Sequence, residues 1–185
     1  MSRIKPINYE ESTGKTKELL DAVKGKLGMT PNMMKTMAQS PAVLEAYLNF
    51  SGALAGGTLN GKIREQIALL AAEENSCSYC ASAHTAIGKM VGLGDAEILS
   101  AREGVSNDAK TGAALKFARA LIENRGQVTD ADLQTVKAAG FTDGEVGEIV
   151  ANVALNVFTN YFNETVKTEV DFPAIEFPLK KAARA

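Results

Sequence analysis

The segment 60–75 constrains the fold most, because apolar side chains cover nearly every side of the helix that it predicts. A helix that is apolar all round is normally surrounded by other elements. Asn60 has the side chain of a good N-cap for this helix. We therefore expect a central helix around which the rest of the chain packs. Its apolar residues are Ile63, Ile67, Ala68, Leu69, Leu70, Ala71 and Ala72.

The rest of the 185-residue chain predicts further helices and almost no strand. No run of alternating β-branched or aromatic residues occurs, whereas apolar residues at helical spacing and terminating glycines recur. We expect one all-α domain over 1–185, a bundle of roughly eight helices with its core motif at 60–92 and an extended tail at 171–185. The end of the tail, 180–185, is expected to fray. The other predicted helices span about 19–27, 41–55, 77–91, 95–103, 106–125, 129–139 and 142 onward, with a Met-rich piece after Thr30-Pro31.

Hydroxyl side chains are predicted to cap most of these helices. Thr30 and Ser40 each precede a proline that is expected at the first helical position. Thr142 and Glu145 fit a capping box, in which each side chain bonds the other residue's backbone N–H. The remaining predicted helix starts are Ser76, Ser106 and Thr129.

Composition excludes several classes of function. The net charge is −2, and lysine and arginine are dispersed, so neither nucleic acid nor a strongly charged partner is indicated. No run of ~18 apolar residues is present, so no membrane span is expected. The start of the chain lacks the apolar core of a signal peptide, and we expect a cytoplasmic protein.

The chain's only two cysteines and only histidine lie within eight positions of each other. Cys77, Cys80 and His84 stand at i, i+3 and i+7, which places them on one face of a helix. The helix start favours a thiolate, and His84, four residues after Cys80, can accept its proton. Cys80 is therefore expected to react first. Because Cys77 and Cys80 lie one turn apart, they can form a disulfide within one chain.

Glu65 is the fourth candidate site residue. If helices 61–75 and 77–91 form an antiparallel hairpin, His84 lies within a turn of Glu65. Glu65 shares a helix side with Ala68, Leu69 and Ala72, so its carboxylate should be partly buried. A Glu–His–Cys proton relay is physically reasonable, although a solvated carboxylate at a helix start is the simpler interpretation.

Other interpretations of the cysteine pair fit less well. The c-type haem signature needs histidine directly after the second cysteine, where this chain has Ala81. A thioredoxin-like site needs strands. A zinc site needs four ligands, and only the unusual set of Cys77, Cys80, His84 and Glu65 could supply them. We therefore predict no metal and no cofactor.

The pattern Glu65-x11-Cys77-x2-Cys80-x3-His84 resembles that of alkylhydroperoxidase D, in the carboxymuconolactone decarboxylase-like superfamily. The resemblance covers about Pro41 to Gly94. The helical layout and the late segment 156–163 look like the peroxidase-related branch. The resemblance implies an all-α, commonly oligomeric two-cysteine peroxidase.

The same resemblance implies a role for each site residue. The second cysteine, Cys80, would attack peroxide and the first, Cys77, would resolve it, with Glu65 and His84 as the proton relay. Well-known members have histidine just before the second cysteine, where this chain has Tyr79. A phenol titrates near pH 10 and is no base at neutral pH, so Tyr79 would contribute hydrogen bonds to a weaker or different relay.

The leading hypothesis is an antioxidant oxidoreductase that reduces a hydroperoxide and is itself reduced by a lipoyl or thioredoxin-type dithiol protein. An acid–base enzyme of the decarboxylase kind, using His84 and Glu65, and a non-enzymatic thiol switch are the alternatives. The Met33–Met37 piece and the late helix have more apolar residues than one small core is expected to absorb. Together with the resemblance, they predict a homo-oligomer, a trimer or a hexamer.

Overall fold

The computed structural model describes residues 2–179, and these form nine α-helices, one 3₁₀ turn and no strand. The prediction of an all-α fold is confirmed. The helix beyond the expected eight is the six-residue α2, which corresponds to the predicted Met-rich piece. The helices are α1 (Gly14–Leu27), α2 (Asn32–Met37), α3 (Pro41–Ala55), α4 (Gly61–Glu74), α5 (Ser78–Met90), α6 (Asp95–Arg102), α7 (Ala109–Glu123), α8 (Asp130–Ala138) and α9 (Asp143–Val166).

Helix α4 is the centre of the bundle, as its apolar surface predicts. It packs against α5, α6, α7 and α9. Ile67, Leu69 and Leu70 are fully buried in a core shared with α6 to α9. Ala72, at the other end, joins a second core made by α1, α2, α3 and α5. Because α4 contributes to both cores, its position fixes how the helices of the first core lie relative to those of the second.

Several predicted caps are confirmed and others are wrong. Asn60, Thr129 and Thr142 each accept a backbone N–H at the start of α4, α8 and α9. The other predicted helix starts behave differently. Ser40 precedes Pro41 at the start of α3 but makes no capping bond, and α2 begins after Pro31 without Thr30 as its cap. Helix α7 is capped by Asp108 rather than Ser106, because the carboxylate accepts from the N–H of Thr111 at 2.7 Å. Cys77, not Ser76, caps α5.

The methionines of the Met-rich piece fill the interior. Met33, Met34 and Met37 are at most 8% exposed and belong to the second core. The expectation that this piece overfills the core and marks an interface is therefore wrong. Exposed apolar surface lies instead on α9, where Phe158 is 41% and Tyr161 62% exposed. Among residues 2–179, no helix is long and apolar enough to cross a membrane.

The C-terminal segment 167–179 follows α9 and lies across the second core. It has no regular secondary structure over 171–179, and the predicted fraying of 180–185 lies outside the described residues. Phe172, Ile175 and Phe177 pack on that core. We call this segment the strap.

A buried ion pair anchors the strap. The Arg102 guanidinium donates to Glu73 at 2.9 and 3.0 Å, and both side chains are at most 6% exposed. Arg102 also donates to the carbonyl of Glu176 at 2.9 Å. The second carboxylate oxygen of Glu73 accepts the N–H of Leu179 at 2.7 Å. Glu73 and Arg102 need each other, since either charged group alone would be buried without a counter-charge.

Arg102→Leu should destabilise the protein by about 3–5 kcal/mol, because it leaves the Glu73 charge buried and unpaired. Urea unfolding followed by circular dichroism measures this free energy. Arg119→Leu is the matched control, since Arg119 pairs with Glu74 at 3.0 Å in a more exposed position, with 22% of its side chain accessible. That control should lose much less. A change in Arg102→Leu no larger than in the control would contradict this account of the pair.

Candidate active site

The turn between α4 and α5 sets the position of the cysteine pair. Ser76 adopts a left-handed conformation with φ of 55°. The N–H of Cys77 then reaches the carbonyl of Ala72 at 2.8 Å, and that of Ser76 reaches Glu73 at 3.2 Å. These two bonds form a Schellman motif, which closes α4 tightly and reverses the chain. The predicted antiparallel hairpin is confirmed.

Cys77 and Cys80 are joined by a disulfide, with their Cα atoms 5.3 Å apart. The predicted pairing within one chain is therefore confirmed. Cys77 is the N-cap of α5, and its sulfur accepts the backbone N–H of Cys80 at 3.2 Å. Both sulfurs thus lie in the first turn, where unpaired backbone N–H groups and the helix dipole favour negative charge.

His84 and Glu65 meet across the hairpin. His84 Nδ1 lies 2.8 Å from Glu65 Oε2, and the two side chains are 21% and 19% exposed. The hairpin explains the contact, because Glu65 lies seven residues before Ala72 and His84 seven residues after Cys77. Glu65 and His84 therefore each lie about two helical turns from the turn that joins α4 to α5. The predicted proximity and partial burial of this pair are confirmed, and their chemical role stays a prediction.

A cavity of about 180 Å³ brings these groups together. Its wall includes Cys80, His84 and Glu65, together with apolar side chains such as Met34 and Leu155. Cys77 is fully buried and is not among the described residues that line this space. Since an engineered cavity of ~150 Å³ admits benzene, this one is large enough for a small organic molecule.

Tyr47, on α3, is a further residue of the cavity wall. Burial, and secondly the negative charge of Glu65, raise the pKa of Tyr47 to about 12, although the Ser51 hydroxyl acts in the opposite direction. Tyr47 therefore remains a neutral hydrogen-bond donor beside the Glu65–His84 pair. Arg64, next along α4, also lines the cavity and donates to the carbonyl of Leu54.

Helix α9 contributes a row of amides that the sequence interpretation missed. Asn152, Asn156 and Asn163 are buried and line the cavity with Thr159. Asn163 Nδ2 donates to Cys80 Sγ at 3.3 Å. The sequence signal for this row is the helical spacing of asparagines along a segment that is otherwise rich in apolar residues.

The hydroxyl of Tyr79 bonds to α2 and to the strap, whereas the sequence predicted that it would contribute hydrogen bonds to the relay. Its hydroxyl donates to Asp171 Oδ1 at 2.9 Å and accepts the N–H of Met33 at 3.2 Å. Its ring meets Phe172 edge-on, with centroids 5.7 Å apart. Burial, with the Asp171 charge adding to it, raises the pKa of Tyr79 far above its ordinary value. Tyr79 therefore stays protonated and attaches the strap to α2 and α5.

Within residues 2–179, no three histidine, cysteine, aspartate or glutamate side chains are grouped so that they could hold a metal ion. The four ligands considered from the sequence divide into two bonded pairs, Cys77 with Cys80 and Glu65 with His84. The chemistry available is thiol–disulfide exchange at the sulfurs and proton transfer at the Glu65–His84 pair.

Fold and site together define an all-α protein with a Cys-x-x-Cys disulfide at a helix start, beside a glutamate–histidine pair. Residues 41–124 match the model of the carboxymuconolactone decarboxylase family. This match covers the α3 to α7 part of the chain, which contains the cysteine pair, Glu65 and His84. The resemblance inferred from the sequence is confirmed. No curated protein matches the chain significantly.

Solved structures share the fold. A peroxidase-related protein with an alkylhydroperoxidase AhpD core, from Ralstonia eutropha, has 24% identity and a TM-score of 0.79, with 92% of each chain covered. A peroxidase-related protein from Silicibacter has 21% identity and a TM-score of 0.78, covering 89% of this chain and 91% of its own. The debrominase Bmp8, solved with 2,3,4-tribromopyrrole, has 18% identity and a TM-score of 0.78, with 91% of each chain covered.

Proposed function

We propose that the protein is a thiol-dependent peroxidase that reduces small hydroperoxides. The observation that supports this most is that Cys80, bonded to Cys77, lines the same cavity as the Glu65–His84 pair. A reducible sulfur, a proton-transfer pair and space for a small molecule are the three requirements of the reaction.

The proposed cycle begins with the dithiol form. The Cys80 thiolate attacks the terminal oxygen of the hydroperoxide; the S–O bond forms, the O–O bond breaks, and the alkoxide leaves. Protonated His84, held by Glu65, gives the alkoxide its proton and releases the alcohol. The Cys77 thiol then attacks the Cys80 sulfenic acid, forming the disulfide and water. A dithiol protein of the lipoyl or thioredoxin type returns the pair to the reduced state.

Steady-state consumption of tert-butyl hydroperoxide with dithiothreitol tests this proposal. We expect turnover by the native protein and none by the Cys77→Ser, Cys80→Ser double variant. Candidate lipoyl and thioredoxin-type donors can then replace dithiothreitol to identify the physiological reductant. No turnover of any hydroperoxide by the reduced native protein would contradict the proposal.

An acid–base reaction of the decarboxylase kind is the second candidate, because the Glu65–His84 pair does not depend on the sulfurs for its contact. A lactone substrate would use this pair alone. The double cysteine variant separates the two candidates, since it should retain lactone turnover only if this second candidate is right.

We also propose that the protein assembles into a homo-oligomer, a trimer or a hexamer. The exposed apolar side chains of α9, Val150, Phe158 and Tyr161, support this, being 42%, 41% and 62% accessible in the single chain. Light scattering at micromolar concentration should give a multiple of the 19.6 kDa chain mass. Phe158→Glu should lower that mass, and a monomeric native protein would contradict the prediction.

A further inference from the structure

Asn163 is the buried polar residue closest to the proposed chemistry. Its side chain lies in the wall of the cavity, and the residue is 2% exposed. The amide nitrogen faces two sulfurs, Cys80 Sγ at 3.3 Å and Met33 Sδ at 3.1 Å. The amide oxygen is buried and has no hydrogen-bond partner among the described residues.

An orphaned amide oxygen in a buried site needs an explanation. Leaving a polar atom without a partner is unfavourable, and native structures have few such atoms. The orientation of the amide is fixed by its nitrogen, because the two sulfurs accept hydrogen bonds but cannot donate to the oxygen in the disulfide form. The oxygen is therefore held ready for a donor that the described residues do not supply.

Resting on the proposed function, we propose that Asn163 is a catalytic residue with two contacts to the reacting atoms. One amide N–H donates to the Cys80 thiolate, and the carbonyl oxygen accepts the O–H of the bound hydroperoxide. That hydrogen stays on the terminal oxygen when the S–O bond forms and the O–O bond breaks, so it becomes the hydroxyl of the Cys80 sulfenic acid. The hydrogen bond to the amide oxygen holds the attacked oxygen against Cys80 Sγ throughout the step.

This assignment also defines the substrate class. The ligand must present an O–H group to the amide oxygen while its organic part lies against apolar wall residues such as Met34 and Leu155. A small alkyl hydroperoxide meets both conditions. A dialkyl peroxide has no such O–H and should be a poor substrate.

Two reagents separate the two contacts in a Cys77→Ser background, where Cys80 is the only thiol. Methyl methanethiosulfonate reacts with the thiolate but has no hydrogen-bond donor, whereas tert-butyl hydroperoxide has an O–H. In Asn163→Leu, the thiosulfonate reaction should slow about 10- to 100-fold, because a hydrogen bond to a charged group is lost. The hydroperoxide reaction should slow by a further ~2- to 10-fold, because a second hydrogen bond is lost.

Asn160→Leu is the matched control. Asn160 is fully buried on the same helix, but its amide oxygen accepts from Asn75 and its residue lies outside the cavity lining. Both reagents should react with this variant at the native rate. If Asn163→Leu does not fold, Asn163→Ala provides the same comparison without the added apolar bulk.

Three outcomes overturn the proposal wholly or in part. An unchanged thiosulfonate rate in Asn163→Leu removes the donor role. Equal slowing of both reagents removes the acceptor role. The third outcome is a Cys77→Ser protein that reacts with the thiosulfonate but never with the hydroperoxide. It would refute both the peroxidase function and the acceptor role of Asn163. The thiosulfonate rates would still decide the donor role.

Discussion

Cys80→Ser should abolish peroxide reduction, whereas Cys77→Ser should still reduce one equivalent of hydroperoxide and stop at a sulfenic acid on Cys80. Of the two cysteines, only Cys80 lines the cavity, and Cys77 is fully buried. The contacts of Asn163 and the position of His84, four residues after Cys80, also favour the second cysteine.

The opposing effect is smaller. Cys77 is the N-cap and lies closer to the helix start, but the dipole contributes only ~0.3–1 kcal/mol at exposed sites. A hydrogen bond to a charged sulfur is worth about 1.5–3 kcal/mol. Dimedone trapping followed by mass spectrometry measures which cysteine becomes a sulfenic acid. Faster labelling of Cys77 in Cys80→Ser than of Cys80 in Cys77→Ser would reverse the assignment.

The second large effect is expected for Glu65→Gln, which keeps the volume of the side chain and removes its charge. The peroxidase rate should fall by ~10²–10⁴-fold, the usual contribution of general acid–base assistance. The 2.8 Å contact with His84 Nδ1 is the reason, because a neutral amide neither orients nor stabilises the imidazolium as a carboxylate does. His84→Gln should be at least as harmful.

Glu74→Gln is the control for this pair. Glu74 lies on the same helix and forms its ion pair with Arg119, with 15% of the side chain exposed, outside the described cavity wall. Its substitution should leave the peroxidase rate unchanged. Circular dichroism should show the native helix content in all three variants. Native rates in both Glu65→Gln and His84→Gln would show that the pair is structural.

The sequence predicted those parts of the site that depend on local spacing. The cysteines and His84 share a helix, so their common face follows from 3.6 residues per turn. Glu65 lies on the preceding helix, so one tight hairpin was enough to predict its partner. The central position of α4 followed from apolar residues on all sides of one segment.

Contacts between segments far apart in sequence were not predictable in this way. Asn163 reaches Cys80 across 83 residues, and Tyr79 reaches Asp171 across 92 residues. The spacing of the α9 asparagines places them on one helix face but does not identify Cys80 as a partner, since both contacts depend on how α9 and the strap pack against α5. The predicted relay role of Tyr79 came from its place in the motif alone, while its hydrogen bonds depend on the tertiary fold.

Capping residues show the same limit on a smaller scale. The choice of Ser76 as the cap of α5 followed the usual preference for hydroxyl groups. In the structure, the Schellman turn takes Ser76 into a left-handed conformation, and the cap passes to Cys77. Sequence preferences do not show whether a serine cap or a Schellman turn is favoured at Ser76. Here the Schellman turn determined where α5 begins.

A single-turnover titration shows whether the Cys77–Cys80 pair reduces the peroxide. The protein is reduced, freed of reductant under anaerobic conditions and mixed with tert-butyl hydroperoxide, and the remaining peroxide and the protein mass are measured together. We predict that each chain consumes one hydroperoxide, releases one alcohol and loses two hydrogens as the Cys77–Cys80 disulfide forms. Disulfide formation without loss of hydroperoxide, or loss of hydroperoxide that leaves both cysteines reduced, would contradict the claim that this pair is the peroxide-reducing centre.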